Sequence, residues 1–295
     1  MRYLVTGGAG FIGSHLSNKL LEKGHEVRVL DNLSFGDKNK LHEGIELLVG
    51  DVQSKKDCMK ATDRVDGIFH MAAFSRSGPS FDKSEVCHDN NVTGTLNILN
   101  AAVQSHVKRV VYSGSSTYYG NTLGAQKEDM PGDFLNFYGL TKYIGELYVS
   151  QFHRNYGLEF NTLRYFNVYG PGQPTTGEYA LVLGIFLNRL RNGQKLEIHG
   201  SGEQRRDFIH VYDVVEANIK AMESNVCGEI FNIGSGVNHS INEIAKLFPL
   251  DRYYTEKRSG DAEETLANIE KAIQLLNWKP EITINEGLAS LMKNL

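Results

Sequence analysis

The sequence has few cysteines, no long apolar run and no excess of positive charge. Its three cysteines, Cys58, Cys87 and Cys227, are scattered without metal-ligand spacing, which indicates reduced thiols in a cytoplasmic protein and no metal site. No apolar segment approaches the roughly 20 residues of a membrane span, and the glycine-interrupted start MRYLVTGGAGFIG is not a signal peptide. The formal net charge of −4 provides no basic surface for nucleic acid or an acidic membrane. An anionic ligand must therefore be bound by local groups.

The first half of the 295-residue chain alternates short β-type runs with longer amphipathic segments. YLVT, EVRVLD and VKRVVYSG are typical of strands, and FIGSHLSNKLLEKG is typical of a helix. Strands separated by helices of this length pair in parallel through right-handed crossovers. We therefore predict an α/β fold with a Rossmann-type, doubly wound parallel sheet in residues 1–166. Residues 167–295 should mainly form a smaller α/β substrate-binding lobe, with some segments returning to the first domain.

Three glycines, Gly7, Gly10 and Gly13, lie between the first strand and the first helix in YLVTGGAGFIGSHL. Glycines at this spacing permit a tight turn, a close approach of the backbone to a pyrophosphate, and close packing of the helix on the sheet. The N-terminus of the helix then faces the phosphates. A tight structural turn is the alternative, but the position in the first strand-to-helix turn favours dinucleotide binding.

Acidic residues at the ends of the next two strands fit the adenosine half of a dinucleotide. Asp31 has nearly the spacing expected for a carboxylate that binds the adenine ribose hydroxyls. Because such a carboxylate repels a 2′-phosphate, Asp31 favours NAD over NADP, with a solvated turn aspartate as the alternative. Asp51, after the third strand, is placed to reach the adenine. The small residues of HMAA, after the fourth strand, allow backbone contact with the cofactor, and His70 fits a packed strand end at least as well as a ligand role.

Tyr138 and Lys142, in YGLTK, are one helical turn apart and share a helix face. A lysine ammonium and an oxidised nicotinamide would both favour the phenolate of a tyrosine, whose pKa is otherwise about 10. Tyr138 would then take a proton from a sugar hydroxyl while hydride leaves the same carbon. An ordinary surface aromatic is the alternative, and YYTEK contains a second such pair, Tyr253 and Lys257. Only the first pair comes after the hydroxyl-rich turn SGSSTYYG, which contains Ser115.

The chain resembles the extended short-chain dehydrogenase/reductase family of nucleotide-sugar epimerases and dehydratases. The resemblance runs in family order through TGGAGFIGSHL, DNLS, GDV, HMAA, DNNVTGTLNIL, SGSSTYYG, YGLTK, RYFNVYGPGQ, RRDFIHVYD and RSGDAEE. It implies an NAD-dependent enzyme that acts on a UDP-sugar and forms a homodimer through a four-helix interface. The predicted cofactor-binding residues are Gly7, Gly10, Phe11, Ile12, Gly13, Asp31, Asn32, Asp51, Val52, Met71, Ala72, Ala73, Asn91, Tyr138, Lys142 and Tyr165.

The same resemblance implies roles at the catalytic and nucleotide ends. Ser115 takes the position of the active-site hydroxyl that binds the sugar's 4-oxygen, Tyr138 is the base, and Lys142 is its electrostatic partner. Family members bind the diphosphate with an asparagine and two arginines, and the uridine ribose with an acid. Two arginines would supply the local charge that the net charge of −4 does not. The predicted substrate-binding residues are Ser115, Ser116, Asn167, Arg206, Arg258 and Asp261. Arg205, beside Arg206, has no assigned partner and is expected to be exposed.

The two residues after Ser115 are the basis for predicting the reaction. Family dehydratases carry Asp-Glu there, whereas this chain has Ser116 and Thr117, which are not acidic enough to eliminate water. The resemblance therefore implies the UDP-galactose 4-epimerase subgroup, acting through a 4-keto intermediate with the same bound NAD. A small residue at Thr265 suggests room for a 2-acetamido group. Dehydration with other acids (Glu128 or Asp129), decarboxylation or epimerisation of a UDP-uronic acid, and a non-catalytic NAD-binding regulator stay open as alternatives.

Overall fold

The computed structural model describes residues 1–257, 262–293 and 295. Its strands form one large sheet and two small ones. In chain order the strands are β1 (Arg2–Thr6), β2 (Glu26–Asp31), β3 (Glu46–Val49), β4 (Gly67–His70), β5 (Arg109–Ser115), β6 (Glu159–Tyr165), β7 (Asn167–Tyr169), β8 (Leu196–His199), β9 (Arg205–His210), β10 (Glu229–Ile233), β11 (Asn238–Ser240) and β12 (Arg252–Thr255).

The helices connect these strands and cover the large sheet. A π-helical turn, Asp89–Thr93, joins two of them into one bent segment. In chain order the helices are α1 (Phe11–Glu22), α2 (Lys55–Thr62), α3 (Ser84–His88), α4 (Gly94–Gln104), α5 (Phe137–Tyr156), α6 (Val182–Arg191), α7 (Val211–Glu223), α8 (Ile241–Ala245), α9 (Glu270–Leu276) and α10 (Ile284–Lys293). Among the residues described, no helix is both long and apolar enough to span a membrane.

The large sheet has seven strands in the order β10-β6-β5-β4-β1-β2-β3, and every pair in it is parallel. The predicted doubly wound α/β fold is confirmed. The order reverses at β1 and β4, which puts a crevice at their carboxyl ends, where ligands bind in open α/β sheets. Thr6 pairs with His70 across this crevice, and Ser115 pairs with Tyr165 on the neighbouring strands. Parallel pairing thus brings distant segments to one edge.

Two apolar clusters cover the two faces of the large sheet. Successive residues of a strand point to opposite faces, so Val5 and Val111 lie in one cluster, while Leu4 and Val110 lie in the other. Helices α1 and α7 pack on the first face, and α2, α4 and α5 pack on the second. A third cluster, formed by α6, α8, α10, β8 and β9, is the core of a smaller unit beside the sheet.

Helix α5, which carries the predicted Tyr–Lys pair, has well-defined ends. The Asn136 side chain accepts a hydrogen bond from the backbone N–H of Gly139 at its start, and Gly157 ends it with φ of +70°. Asparagine is a favoured N-cap and glycine a favoured C-terminal residue because of these two geometries. The helix lies against α4, its π-helical extension and β5, which fixes the position of its first two turns at the carboxyl edge of the sheet.

Two later segments pack with the first unit. β10 pairs with β6 at the edge of the large sheet, and α7 packs against α1. The sequence prediction did not include β7, β9, β11 and β12 or the helices α2 and α3. Those strands are short and partly polar, so their hydrophobic pattern is weak. The boundary at residue 166 stays a proposal, because β7 follows β6 after a single residue.

Candidate active site

One cavity of about 1020 Å³ lies along the carboxyl edge of the large sheet and extends toward the smaller unit. It brings together most of the predicted site residues. Those that line it are Gly7, Gly10, Phe11, Ile12, Gly13, Asp31, Asn32, Asp51, Val52, Met71, Ala72, Ala73, Ser115, Ser116, Tyr138, Lys142, Tyr165, Asn167 and Arg206. Asn91 lies behind the wall, and the predicted Arg258 and Asp261 lie outside the described residues.

The glycine turn forms a cradle at the start of α1. Gly7 has φ of +66°, and a β-carbon on it would lie 2.9 Å from the backbone N and Cα of Ala72. A β-carbon on Gly13 would lie 2.3 Å from the Gly7 carbonyl oxygen, so the helix packs directly on the turn. At Gly10 the only neighbour within 4 Å is that same carbonyl, at 3.1 Å, which leaves the cavity side open. The unpaired N–H groups of the first helical turn therefore face a space suited to a pyrophosphate.

Asp31 joins the glycine turn to the loop after β2. One carboxylate oxygen accepts from the N–H of Ala9 at 2.9 Å, and the other accepts from the N–H of Leu33 at 2.8 Å. Asn32 donates from Nδ2 to Asp51 Oδ2 at 2.8 Å, so the two predicted acids stand on one wall of the cavity. The carboxylate of Asp31 is thus oriented by the protein itself, which is what a ribose-binding acid requires.

Asn91 and His70 lie behind this wall and hydrogen-bond to neighbouring segments of the chain. Asn91 bonds the backbone N–H and carbonyl of Phe74 at 2.7 and 3.0 Å and donates to Thr141 Oγ1 at 2.9 Å. It therefore holds the loop after Ala73 against α5, and its contact with the cofactor stays a prediction. His70 Nδ1 lies 2.8 Å from Thr6 Oγ1, and its Nε2 lies 3.0 Å from Thr95 Oγ1.

The protonation of His70 is determined by its surroundings. Thr95 Oγ1 donates to the Asn91 carbonyl at 2.6 Å, so it accepts a hydrogen bond from the Nε2–H of His70, and Thr6 Oγ1 donates to Nδ1. Burial lowers the pKa of His70 to about 3, with a smaller effect from Lys142. His70 is therefore a neutral, fully bonded strand end, which supports the packed alternative over a ligand role.

Ser115 and Tyr138 lie next to each other at the end of β5 and the start of α5. The Ser115 hydroxyl oxygen accepts from Thr117 Oγ1 at 2.9 Å and from the Thr117 N–H at 3.3 Å. Because this oxygen is the acceptor in both hydrogen bonds, the Ser115 hydroxyl proton points away from Thr117. Burial raises the pKa of Tyr138, and the hydrogen bond with Ser115 partly offsets that rise. Tyr138 is held as a neutral phenol whose oxygen a serine hydroxyl can stabilise once it ionises.

Lys142 is almost fully buried one turn after Tyr138. Its Nζ lies 4.5 Å from the centroid of the Tyr112 ring, a cation–π distance. Burial lowers the pKa of Lys142 to about 8, and the nearby Glu146 carboxylate partly opposes this. Lys142 is thus protonated at neutral pH but close to its titration range.

The predicted nicotinamide-end residue Tyr165 is fixed by two hydrogen bonds. Its hydroxyl donates to Asn218 Oδ1 at 2.8 Å and lies 3.1 Å from Ser113 Oγ. Burial raises the pKa of Tyr165 to about 12. Because the hydroxyl is already satisfied within the protein, Tyr165 contributes its ring to the cavity wall, not a proton.

At the opposite end, Asn167 and Thr265 are joined on the cavity wall. Asn167 Nδ2 donates to Thr265 Oγ1 at 3.1 Å and to the Asp207 carbonyl at 3.0 Å. Arg206 donates to the Arg205 carbonyl at 2.8 Å and also lines the cavity. The expectation for Arg205 is wrong: it is half-buried and donates to Asn238 and Glu243. Its place on β9, antiparallel to β11, could not be read from the sequence.

Two loops that hold none of the predicted catalytic or substrate-binding residues, one with Arg76 and one with Glu178, also line the cavity. Tyr179 packs between Phe35, at a centroid distance of 4.1 Å, and Phe74, at 6.1 Å. Arg76 donates from Nε to the Glu178 carbonyl at 2.6 Å and from Nη2 to the Ala180 carbonyl at 3.1 Å. In the sequence, the first of these loops is the segment AAFSRSGPS, which continues directly from HMAA. The segment around Glu178 has no pattern that would connect it to residues a hundred positions earlier.

The second Tyr–Lys pair has no such setting. Tyr253 belongs to β12 and is 41% exposed. Along a strand, four residues span far more than one helical turn, and neither Tyr253 nor Lys257 lines the cavity. The tertiary structure therefore distinguishes the two pairs, which share the same spacing.

A dinucleotide fits this geometry. The open glycine cradle would hold the pyrophosphate, Asp31 the adenine ribose, and the Tyr138–Lys142 face the nicotinamide end. The fold and site together define a nucleotide-dependent oxidoreductive enzyme of the Rossmann class. The sequence matches the model of the NAD dependent epimerase/dehydratase family over residues 3–234, and the chain belongs to that family. The prediction of an NAD-dependent enzyme of this family is confirmed.

Individual relatives support this assignment. The chain is 38% identical to a putative UDP-glucose 4-epimerase of Methanocaldococcus jannaschii, with 99% of this chain and 98% of the relative covered. It is 36% identical to a UDP-N-acetyl-alpha-D-glucosaminuronate decarboxylase of Bacillus cytotoxicus, over 83% and 78%. The crystal structure of a UDP-glucose 4-epimerase of Thermotoga maritima with UDP-glucose superposes with a TM-score of 0.96 at 34% identity, covering 99% and 98%.

Proposed function

We propose that this enzyme interconverts the C4 epimers of a UDP-hexose, namely UDP-glucose and UDP-galactose, and that it also accepts the N-acetylhexosamine forms. The observation that carries the proposal is the grouping of Ser115, Tyr138 and Lys142 in one cavity with the glycine cradle. Ser115 lies at the end of β5, and Tyr138 and Lys142 lie in the first turns of the following helix, α5. Together these three residues would carry out proton transfer at one sugar oxygen. The named activities of the M. jannaschii and T. maritima relatives support the same reaction.

The contacts of these residues support the following roles. When bound, NAD supplies a hydride acceptor and donor. Ser115 holds the sugar's 4-oxygen while Tyr138 takes the proton of the 4-hydroxyl. Lys142 stabilises the resulting phenolate by its charge. After the 4-keto sugar has turned its other face, Tyr138 returns the proton to the same oxygen, so one tyrosine serves both half-reactions.

The dehydration alternative has little support in the described residues. Glu128 Oε1 accepts from the N–H of Asn232 at 2.8 Å, and Asp129 is exposed. Neither lines the cavity. The positions beside Ser115 hold Ser116 and Thr117, which cannot serve as the acid that removes the C6 hydroxyl. The non-catalytic alternative is set aside because the chain is an enzyme of this family.

A reaction on a UDP-uronic acid is a second candidate. Arg76 lines the cavity and acts electrostatically on Tyr138, so a positive charge stands near the sugar end. The decarboxylase relative from B. cytotoxicus is named for an acidic sugar. The positive charge of Arg76 would attract a sugar carboxylate, whereas an uncharged hexose has no group that would pair with it.

We also propose a homodimer formed through α3–α4 and α5. Val86, Leu140 and Leu147 on these helices are 38–50% exposed, and Leu140 and Leu147 are seven residues apart on one face of α5. Phe81 and Phe137 extend this apolar face, with ring centroids 6.3 Å apart. A symmetric pairing would cover these side chains. The cytoplasmic location and the absence of nucleic-acid and membrane partners stay predictions.

The proposal can be tested by incubating the purified protein with a panel of UDP-sugars and analysing the products by NMR. The panel contains UDP-glucose, UDP-galactose, their N-acetyl forms and UDP-glucuronate. Inversion at C4 without added NAD would support it. A 4-keto-6-deoxy or pentose product would overturn it and identify a dehydratase or a decarboxylase. Inversion of UDP-glucuronate alone would favour the second candidate. Sedimentation of the same sample tests the dimer, and a monomer at micromolar concentration would contradict it.

A further inference from the structure

A buried ion pair lies directly beneath the catalytic lysine. Glu146 follows Lys142 by one turn of α5, and its carboxylate accepts from Arg164 on β6 at 2.8, 3.1 and 3.2 Å. Both side chains are at most 3% exposed. Burying two charges costs several kcal/mol of desolvation that their attraction only partly offsets. A pair in this position therefore calls for an explanation other than stability.

The surrounding chain is shaped to hold the pair. Gly114 on β5 leaves the space for it, because a β-carbon there would lie 2.9 Å from Glu146 Oε1 and 3.1 Å from Arg164 Cγ. The Arg164 guanidinium lies 3.5 Å from the Tyr118 ring centroid and donates to the Tyr119 hydroxyl at 2.9 Å. The two tyrosines of SGSSTYYG are thus used to position an arginine, while the serines of that stretch face the cavity.

The charges around Lys142 identify which neighbour favours its protonated form. Glu146 faces it from α5, Cys87 from α3, Tyr112 from β5 and His70 from β4. Only Glu146 carries a full negative charge: burial keeps His70 neutral by lowering its pKa, and it raises the pKa values of Cys87 and Tyr112. Burial also raises the pKa of Glu146, and the hydrogen bonds from Arg164 oppose that rise. Arg164 therefore helps to keep Glu146 ionised.

We propose that Glu146 is a positioning residue that keeps the Lys142 ammonium protonated at neutral pH, and that Arg164 keeps Glu146 ionised and turned toward β6. Without Arg164, Glu146 would pair directly with Lys142 and weaken its effect on Tyr138. Without Glu146, burial would drive the lysine toward its neutral form. The consequence for turnover rests on the proposed role of Tyr138 as the base, but the consequence for Lys142 does not.

The test is a titration of Lys142 in the NAD-loaded enzyme by NMR of ¹³Cε-labelled lysine, with the signal assigned from its loss in Lys142→Met. Glu146→Gln should lower the titration midpoint by on the order of one pH unit, because a negative charge one helical turn away is removed. The alkaline limb of kcat against pH should move the same way. An unchanged midpoint would overturn the inference. If the wild-type enzyme epimerises no UDP-sugar, the proposed function fails while the titration still decides this point.

Controls separate the charge effect from lost packing. Arg109 on β5 and Glu159 on β6 form an ion pair at 2.7 Å, at the opposite ends of the two strands that carry Gly114 and Arg164. Glu159→Gln should lower the melting temperature without moving the Lys142 midpoint. Arg164→Lys keeps the negative charge of Glu146. If this variant lowered the Lys142 midpoint as much as Glu146→Gln does, the inference would be overturned. Where Glu146→Gln does not fold, the double variant Glu146→Gln/Arg164→Met removes both buried charges at a smaller cost, and it should still lower the midpoint.

Discussion

Thr265 and Asn167 come from segments almost a hundred residues apart and are joined on the cavity wall, with Asn167 Nδ2 3.1 Å from Thr265 Oγ1. The Thr265 hydroxyl also accepts from the Asp207 N–H at 3.2 Å. A small side chain at this point leaves the wall open, which is the basis of the predicted room for a 2-acetamido group.

We expect Thr265→Tyr to reduce turnover of UDP-N-acetylglucosamine at least about tenfold relative to UDP-glucose, because a bulky ring would fill the space at the wall. The ratio of kcat/KM for the two sugars is the measurement. Thr265→Ser keeps the hydroxyl and the space, so it should leave the ratio unchanged. Equal turnover of the acetamido sugar by Thr265→Tyr would remove the basis of the prediction.

Tyr138→Phe should reduce turnover by about 10²-fold or more, since it removes the group that exchanges the proton with the sugar oxygen. Bound NAD should stay near the wild-type level, because the ring still lines the cavity. Product NMR and the absorbance of released cofactor give the two readouts. Tyr253→Phe alters the other tyrosine of the Tyr–Lys spacing and should be fully active; near-normal activity of Tyr138→Phe would reject it as the base.

Asp31→Asn should shift cofactor preference from NAD toward NADP. The amide keeps one acceptor for the N–H of Ala9 or Leu33 but loses the charge that repels a 2′-phosphate. NADH affinity should fall about tenfold and NADPH affinity should rise. Fluorescence titration of the cofactor-free protein measures both. Unchanged affinity for both cofactors would place the adenine ribose elsewhere.

Gly7→Ala should lower the free energy of unfolding by at least about 2 kcal/mol and abolish retention of NAD. The added methyl would overlap the Ala72 backbone at a residue with φ of +66°. Gly24 is the matched control, since it has φ of +82° but no neighbour within 4 Å of a β-carbon. Gly24→Ala should therefore cost only about 1 kcal/mol for the left-handed conformation. Chemical denaturation measures the free energy of unfolding of both variants. Equal losses in Gly7→Ala and Gly24→Ala would mean that the close approach of Gly7 to Ala72 does not add to the cost.

Acid should destabilise the fold in part through His70. Burial lowers its pKa to about 3 in the folded protein, against about 6.5 in the unfolded chain. Between these values the unfolded chain binds the extra proton, so the free energy of unfolding falls as pH decreases, by up to about 1.4 kcal/mol per pH unit. His70→Gln should reduce this slope by one proton between pH 4 and 6. An unchanged slope in His70→Gln would show that the histidine titrates freely. His210, whose pKa burial lowers to about 4, should behave like His70.

Much of the site was predictable because its signals are local. The glycine turn, the acid after β2 and the Tyr–Lys pair each lie within one strand-to-helix connection. Parallel strands carry such connections to the same edge of the sheet, so knowing the fold class was enough to assemble Gly7, Asp31 and Tyr138 in one cavity. The Asp31 prediction needed only the end of β2 and the charge of its carboxylate.

The sequence by itself predicted the α/β alternation, the glycine turn at the start of α1 and the residues proposed for proton transfer, because each depends on short spacings and on side-chain chemistry. Only the tertiary structure showed that Tyr138 and Lys142 line the cavity and that the second Tyr–Lys pair does not. It alone paired Arg205 with Asn238 and Glu243, and Arg164 with Glu146. These contacts join segments far apart in the chain, and their partners are chosen by strand order and register. Gly114 illustrates the difference: in the sequence it is one more glycine at a strand end, and in the fold it makes room for a buried ion pair.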